Sequence, residues 1–411
     1  MTSTVRVHVA AGVVTAVTLL VATGAGPSAS SAGGRVVAIG DVHGSDEGLL
    51  AILRTAGVVD RDSHWSGGTA TLVQTGDVTD RGAAVRRVFD LLRALSNEAP
   101  KAGGRVLPVL GNHEVMNLVG EIRDVTPAIC ASFGGGDPEA TRETAWRTYS
   151  DLAARRTRLR VGEMPRALVR TRDDFRQAYP SGCVEYRLAL GPHGTYGRWL
   201  RSLPIAVNVQ GTVFMHAGLS PLAGRQTVDE LNARARDELR RFDRFLEQLA
   251  RADLAAPWFR LEDVLAVAAA EVRWADSRIA AARARGVPAE LSEDDLALAR
   301  EASAILGIGE WSLLAGDGPL WYRGYATADE AALLAPFTAL LTHWSAERLV
   351  VGHTPSQPFR IKTRLDGRLF LIDTGMLTTV YKGIASALEL DGGHATAIYA
   401  DGTRTVLAPA P

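Results

Sequence analysis

Short apolar runs that stop at a glycine recur along the chain, and each is followed by residues that carry chemistry. Val36-Val37-Ala38-Ile39 is β-branched and bounded by Gly40, which reads as a buried strand ending in a tight turn. Residues 71–75, 106–110 and 348–351 repeat the rule before Gly76, Gly111 and Gly352. Residues 205–209 and 212–215 flank Gln210-Gly211 as a hairpin-like pair, and residues 369–372 end at Asp373. Residues 385–390 and 395–399 finish the set of strands. Between these runs the period becomes helical. Leu49, Leu50 and Leu53 predict a helix over residues 46–55, and residues 85–94 resume that spacing. Across residues 228–306, the stripe Leu239, Phe242, Leu246 and Leu249 predicts a helical insertion. It is broken at Gly286-Val287-Pro288 and restarted at Ser292-Glu293-Asp294-Asp295. Repeated strand–turn–helix units predict the α/β class.

The turns supply a mixed set of oxygen and nitrogen donors. The first carries Asp41 and His43, and the second Asp77, Asp80 and Arg81. The third carries Asn112, His113 and Glu114, the fourth His216 and the fifth His353. Open α/β sheets collect ligands at the carboxyl edge of their strands. Asp with His suits Mn, Fe or Zn better than calcium. Asn112 offers a neutral carbonyl oxygen, and its neighbour His113 points elsewhere, so the two have different tasks. Asp41, His43, Asp77, Asn112, His216 and His353 are too many ligands for one tetrahedral ion. They suit two ions sharing a carboxylate, most simply Asp77. Two such ions clamp the attacking and leaving oxygens of a phosphoryl displacement and make hydroxide available from water at neutral pH. No protein nucleophile is then required, in keeping with the lack of a G-x-S-x-G elbow. Asp373 reads as a supporting or structural acid.

Composition narrows the setting. A net charge of −1 gives no general case for binding nucleic acid or a membrane surface. Arg6, the apolar stretch over residues 9–25 and the small residues around Ser30-Ser31-Ala32 form a signal-peptide pattern, with cleavage after Ala32. The expected organisation is a leader over residues 1–32 and a domain over 33–411, with the helical insertion at about 225–306. The expected destination is export, secreted or at the cell surface. The alternative is a retained N-terminal anchor, although the apolar run is short for a span. No later stretch is long and apolar enough to cross a membrane. Cys130 and Cys183 admit two readings, one disulfide or two buried thiols. Residues 155–176 carry eight arginines against three acids, read either as a solvated helical face or as a basic approach to an anionic substrate. The insertion reads as a lid over the site or as a purely structural element.

The ordered set GDVHG, GDVTDRG, GNHE, HAG and GHT resembles the PPP-type phosphoprotein phosphatases of the calcineurin-like metallophosphoesterase superfamily, over about residues 35–400. HAG and GHT, the export signal and the Trp321-Tyr322-Arg323-Gly324 turn are most similar to the Shewanella-like branch, which is associated with phosphotyrosine as well as phosphoserine and phosphothreonine. The resemblance implies an αββα sandwich of two mixed sheets. It implies Asp41, His43 and Asp77 on one metal, and Asp77, Asn112, His216 and His353 on the other. It implies His113 as general acid oriented by Asp80, with Arg81 and Arg323 on the phosphate oxygens. The expected partner is a phosphorylated protein or peptide. Eukaryotic members have HGG where this chain has His216-Ala217-Gly218, and their substrate-docking C-terminal region has no counterpart here, so regulatory-subunit binding does not transfer. Dinucleoside-polyphosphate hydrolases share several of the motifs, but Asp80-Arg81 and Glu114 lean towards the protein phosphatases. A catalytically silent binding module would have lost a ligand or the acid. This chain keeps the six candidate ligands, His113 and Asp80.

Overall fold

The computed structural model describes residues 34–159, 170–220 and 225–408. The expected leader over residues 1–32 and the middle of the arginine run lie outside them. Among the described residues, eleven strands make two mixed sheets. They are β1 (Val36–Ile39), β2 (Thr71–Gln74), β3 (Arg105–Pro108), β4 (Ala206–Val209), β5 (Thr212–Met215) and β6 (Arg348–Val351). The rest are β7 (Lys362–Arg364), β8 (Leu369–Leu371), β9 (Ser386–Asp391), β10 (His394–Tyr399) and β11 (Arg404–Ala408). One sheet has the order β11-β10-β9-β1-β2-β3 and the other β4-β5-β6-β8-β7. β1, β2 and β3 are parallel, as are β5, β6 and β8, while β9 joins β1 antiparallel.

Alternation along the strands assembles the layers, because successive side chains face opposite sides of a sheet. Val36 and Ala38 of β1, Val73 of β2 and Leu388 of β9 meet Phe214, Val350 and Phe370 of the second sheet in one buried cluster. Val37, Ile39 and Leu72 point the other way, into a core with Leu49, Ile52, Val85, Val88 and Phe89 of the outer helices. The result is the expected αββα sandwich. β7 and β11 carry no apolar alternation that would signal them. Both are edge strands, β7 is polar throughout, and Val406 of β11 is 67% exposed.

The insertion folds as the helices Val228–Arg251, Leu261–Ala284 and Glu293–Leu306. Ser292 caps the third by accepting a hydrogen bond from Asp295 N–H, as its sequence signature requires. Two of the insertion's ties to the rest of the domain lie beside the strands and helix that carry the site. Asn232 Oδ1 accepts from Ile205 N–H (2.8 Å) and Ala206 N–H (3.1 Å) beside β4. Leu261 N–H donates to the carbonyl of Gly120 (2.9 Å), which ends the helix Asn112–Val119.

Within the described part of the arginine run, two arginines fit neither reading. Arg156 is buried and pairs with Glu271 of the insertion at 2.7 Å. Arg170 pairs with Glu262 and with the buried Asp263. Acids on the Leu261–Ala284 helix turn these two arginines inward. Cys130 and Cys183 form a disulfide that joins the helices Pro127–Phe133 and Cys183–Leu190 across 53 residues. Closing a loop of that length removes unfolded-state entropy worth on the order of 4 kcal/mol.

Substituting Arg156→Ala removes the buried ion pair with Glu271 at 2.7 Å, so it is expected to lower unfolding stability by about 3–5 kcal/mol. Urea unfolding followed by circular dichroism checks this, and an unchanged midpoint refutes it.

Candidate metal centre and active site

Each candidate metal ligand, with Asp80, Arg81 and His113, sits just beyond the carboxyl end of a parallel strand. Asp41 and His43 follow β1, Asp77 to Arg81 follow β2, and Asn112 and His113 follow β3. His216, His353 and Asp373 follow β5, β6 and β8 of the other sheet. The two sheets are stitched together there. His353 N–H donates to Asp41 Oδ1 (3.0 Å), and His216 Nδ1 bonds the Thr75 carbonyl (2.9 Å). Asp41, His43, Asp77, Asp80, Asn112, His113, His216 and His353 are all buried.

The backbone here is strained and tightly tied. His43, Asp77, Asp80, Arg81 and His353 have φ values of 47°, 57°, 70°, 65° and 67°. A non-glycine residue in this left-handed region costs about 1–3 kcal/mol and persists only where the surroundings dictate it. The dictating group is the buried carboxylate of Glu114. It accepts hydrogen bonds from the amides of Asp77 (2.7 Å), Val78 (2.9 Å), Thr79 (2.9 Å) and Gly111 (2.8 Å), and from Thr79 Oγ1 (2.8 Å). The Asp77 carbonyl in turn accepts from the amides of Val42 and His43, both at 2.9 Å. Two glycines are required by close approach: a Cβ at Gly111 would lie 2.2 Å from Asp77 Oδ1, and one at Gly352 would lie 2.3 Å from Asp41 Oδ1.

Backbone carbonyls orient the imidazoles. His43 Nδ1 bonds Thr79 O (2.9 Å), His216 Nδ1 bonds Thr75 O, and His353 Nε2 bonds Trp321 O (3.2 Å). The other nitrogen of each ring faces the centre, the arrangement metal-binding histidines use. Asp77 Oδ2 lies 3.4 Å from His216 Nε2 and 3.7 Å from His43 Nε2. His216 Nε2 lies 2.8 Å from Asn112 Oδ1 and 3.0 Å from His353 Nδ1. Among the described residues, two donor groups therefore share Asp77: one with His216 and His353, the other with His43 and His113. Asn112 belongs with the first. Asp41 Oδ1 accepts from the His353 amide, and its carboxyl is close enough to Asp77 and His216 to feel their charges.

The electrostatics suit cations. Burial raises the carboxyl of Asp41 well above the usual range, with neighbouring Asp373 adding to it, and burial raises Asp373 to about 6. Burial lowers His43 to about 3 and His353 to about 2, leaving both neutral as ligation requires. Burial also opposes charge on His216, but the Asp77 carboxylate overcomes it and raises His216 to about 10. Buried carboxylates among imidazoles, two of them held neutral by burial, with one acid facing both donor groups, fit a dinuclear site.

His113 Nδ1 bonds Asp80 Oδ2 at 2.6 Å, and its Nε2 lies 3.2 Å from Arg81 Nη2. The Arg81 guanidinium also contacts His43 Nε2 and the hydroxyl of Tyr381, whose ring stacks on His43 (centroids 5.9 Å apart, 27° between planes). Arg323 is exposed and donates to His353 O (3.2 Å) and Thr354 Oγ1 (3.1 Å), which brings it to the same site. Tyr381 and the tethering role of Glu114 were missed by sequence reasoning. Tyr381 lies in a short polar segment with no pattern to mark it. Glu114, three residues after a strand-ending glycine, carries a capping-box signature, and Gly111 N–H does donate to it.

The calcineurin-like phosphoesterase family model matches residues 34–275. An uncharacterised protein of Schizosaccharomyces pombe is 30% identical over 359 residues, covering 86% of this chain and 76% of its own. Shewanella-like protein phosphatase 1 of Plasmodium berghei is 25% identical, covering 84% of this chain and 67% of its own. Shewanella-like protein phosphatase 2 of Arabidopsis thaliana is 45% identical over 92 residues, 22% of this chain and 24% of its own. Among solved structures, the cold-active protein-tyrosine phosphatase of a psychrophilic Shewanella shares the fold, with a TM-score of 0.52 and 24% identity over 92% of this chain and 81% of that one.

Glu114→Ala orphans five buried donors and is expected to cost about 3–5 kcal/mol of unfolding stability, read from chemical denaturation. Asp77→Asn is expected to cut bound divalent ions from two per chain to one or none, read by elemental analysis after equilibration with Mn²⁺. Two ions retained in the variant would refute the sharing of Asp77.

Proposed function

The chain belongs to the calcineurin-like phosphoesterase family, and from that premise we propose that it is a protein phosphatase hydrolysing phosphotyrosine, phosphoserine or phosphothreonine esters with water as the nucleophile. That it is a metal-dependent phosphoesterase follows from the family and its phosphatase relatives. The observation that carries the finer reading is the position of Asp77 Oδ2 between two histidine groups, beside the His113–Asp80 pair and Arg81.

Two divalent ions (Mn, Fe or Zn) held by Asp41, His43, Asp77, Asn112, His216 and His353 would supply Lewis acidity towards water and the phosphate oxygens. The chain's other residues bind the ester and move its proton. Arg81 grips the phosphate oxygens bidentately, and Arg323 does so from the His353 side. His113 delivers a proton from Nε2 to the leaving oxygen, because Nδ1 is engaged by Asp80. Burial opposes charge on His113, but Asp77 and the bond to Asp80 outweigh it and raise its pKa, which favours the protonated ring a general acid needs. Burial also raises Asp80, while its hydrogen bond from His113 pulls the other way. The disulfide supports the reading of an exported protein, since such bonds persist in oxidising compartments.

The test compares phosphotyrosine peptide, phosphothreonine peptide and diadenosine tetraphosphate with Mn²⁺ and with chelator. Metal-dependent turnover of a phosphopeptide, reduced at least about 10²-fold in His113→Ala, is expected. Turnover of the dinucleotide alone would make the enzyme a dinucleoside-polyphosphate hydrolase instead.

A further inference from the structure

Behind His113 lies a fully buried chain of hydrogen bonds that none of the motifs accounts for. Asn117 stands one helical turn after His113 on the Asn112–Val119 helix, so both project from one face. Its Nδ2 donates to Asp80 Oδ1 (2.9 Å) and Oδ2 (3.0 Å), and to the carbonyl of His113 (2.8 Å). Its Oδ1 accepts from the hydroxyl of Tyr186 at 2.7 Å. Tyr186 belongs to the Cys183–Leu190 helix, and its ring meets Phe133 edge to face at 4.8 Å. Asp80, Asn117 and Tyr186 are each 0% exposed.

A buried phenol is costly unless its hydroxyl is bonded, and a phenylalanine would fill the same space without that cost. What the hydroxyl supplies is orientation. A side-chain amide has one accepting and one donating end, and nothing in its shape decides which end meets Asp80. Tyr186 faces the amide oxygen with a donor. Burial pushes the phenol well above its ordinary range and the Asp80 charge adds to this, so the hydroxyl keeps its proton and stays a donor. The amide N–H groups are thereby turned onto the carboxylate. Reversed, the amide would present its oxygen to Asp80, and like dipoles would push the carboxylate off His113.

We infer that Asn117 and Tyr186 are positioning residues for the leaving-group proton, acting through Asp80 to hold His113 in the orientation that protonates the departing oxygen. The inference rests on the reading of His113 as general acid. Asp80 touches His113, Asn117 touches Asp80 and the His113 carbonyl, and Tyr186 reaches them through Asn117.

Leaving-group dependence tests this, because a departing alkoxide needs a proton and p-nitrophenolate does not. The full chain, loaded with Mn²⁺, is assayed on a phosphothreonine peptide and on p-nitrophenyl phosphate. Tyr186→Phe is expected to lower kcat for the peptide about fivefold and Asn117→Ala about 10²-fold, part or all of one general-acid contribution, with kcat for p-nitrophenyl phosphate within about twofold and KM unchanged. His113→Ala is the reference and is expected to show the same selectivity at larger size. The ratio of the two substrates does not depend on the fraction of folded enzyme, so a poorly folding Asn117→Ala still reports. If His113→Ala slows both substrates equally, the acid assignment falls, and this inference with it. If His113→Ala is selective while Tyr186→Phe and Asn117→Ala slow both substrates equally, or neither, the positioning role alone is overturned.

Discussion

The carboxylate of Glu114 is the constraint on which the site depends. Five donors converge on it, four of them backbone amides from two separate turns. A carboxylate can satisfy that many donors without competition because it only accepts. It therefore locks the turn after β2 against the start of the helix after β3, and Asp77, Asp80 and Arg81 are held with positive φ as a consequence. Those backbone angles aim the shared carboxylate at the histidines and Asp80 at His113. Without the tether the same residues would relax to ordinary turn geometry, and the donor set would disperse.

Much of this was legible in the chain because it rests on local rules. A β-branched run, a glycine and a polar residue predict a strand end that presents chemistry, and Asp41, His43, Asp77, Asn112, His113, His216 and His353 all lie where that rule puts them. The break at Gly286 and the cap at Ser292 were equally local. Contacts between distant segments were not legible. Asp41 accepts from the His353 amide, 312 residues later in the chain, because the two sheets meet there. Arg156 turns inward because Glu271 waits 115 residues later in the chain. Strands β7 and β11 escaped notice because an exposed edge places little demand on side-chain pattern.

The helical insertion takes on a definite role in this picture. Its Leu261 amide bonds the carbonyl that follows the Asn112–Val119 helix, and Arg187 bridges the Asn117 and Phe259 carbonyls at the same junction. Glu238 of the insertion accepts from the amides of Ser312 and Leu313, both at 3.0 Å. Trp321 donates through Nε1 to the Leu313 carbonyl and offers its own carbonyl to His353. The insertion thus braces the site from behind at two places, one near His113 and one near His353.

The donors come from both sheets, Asp41, His43, Asp77 and Asn112 from one and His216 and His353 from the other. Their separation is therefore set by the thickness of the sandwich, and that thickness is set by side chains at some remove from any reaction. Small residues Ala38, Ala395 and Ala397 share a cluster with Phe214, Phe370 and Tyr399, so the interior works as a spacer gauge for the metal centre. A methyl group added there would push the two sets of donors apart. Core positions of this fold thus carry a chemical specification as well as a mechanical one.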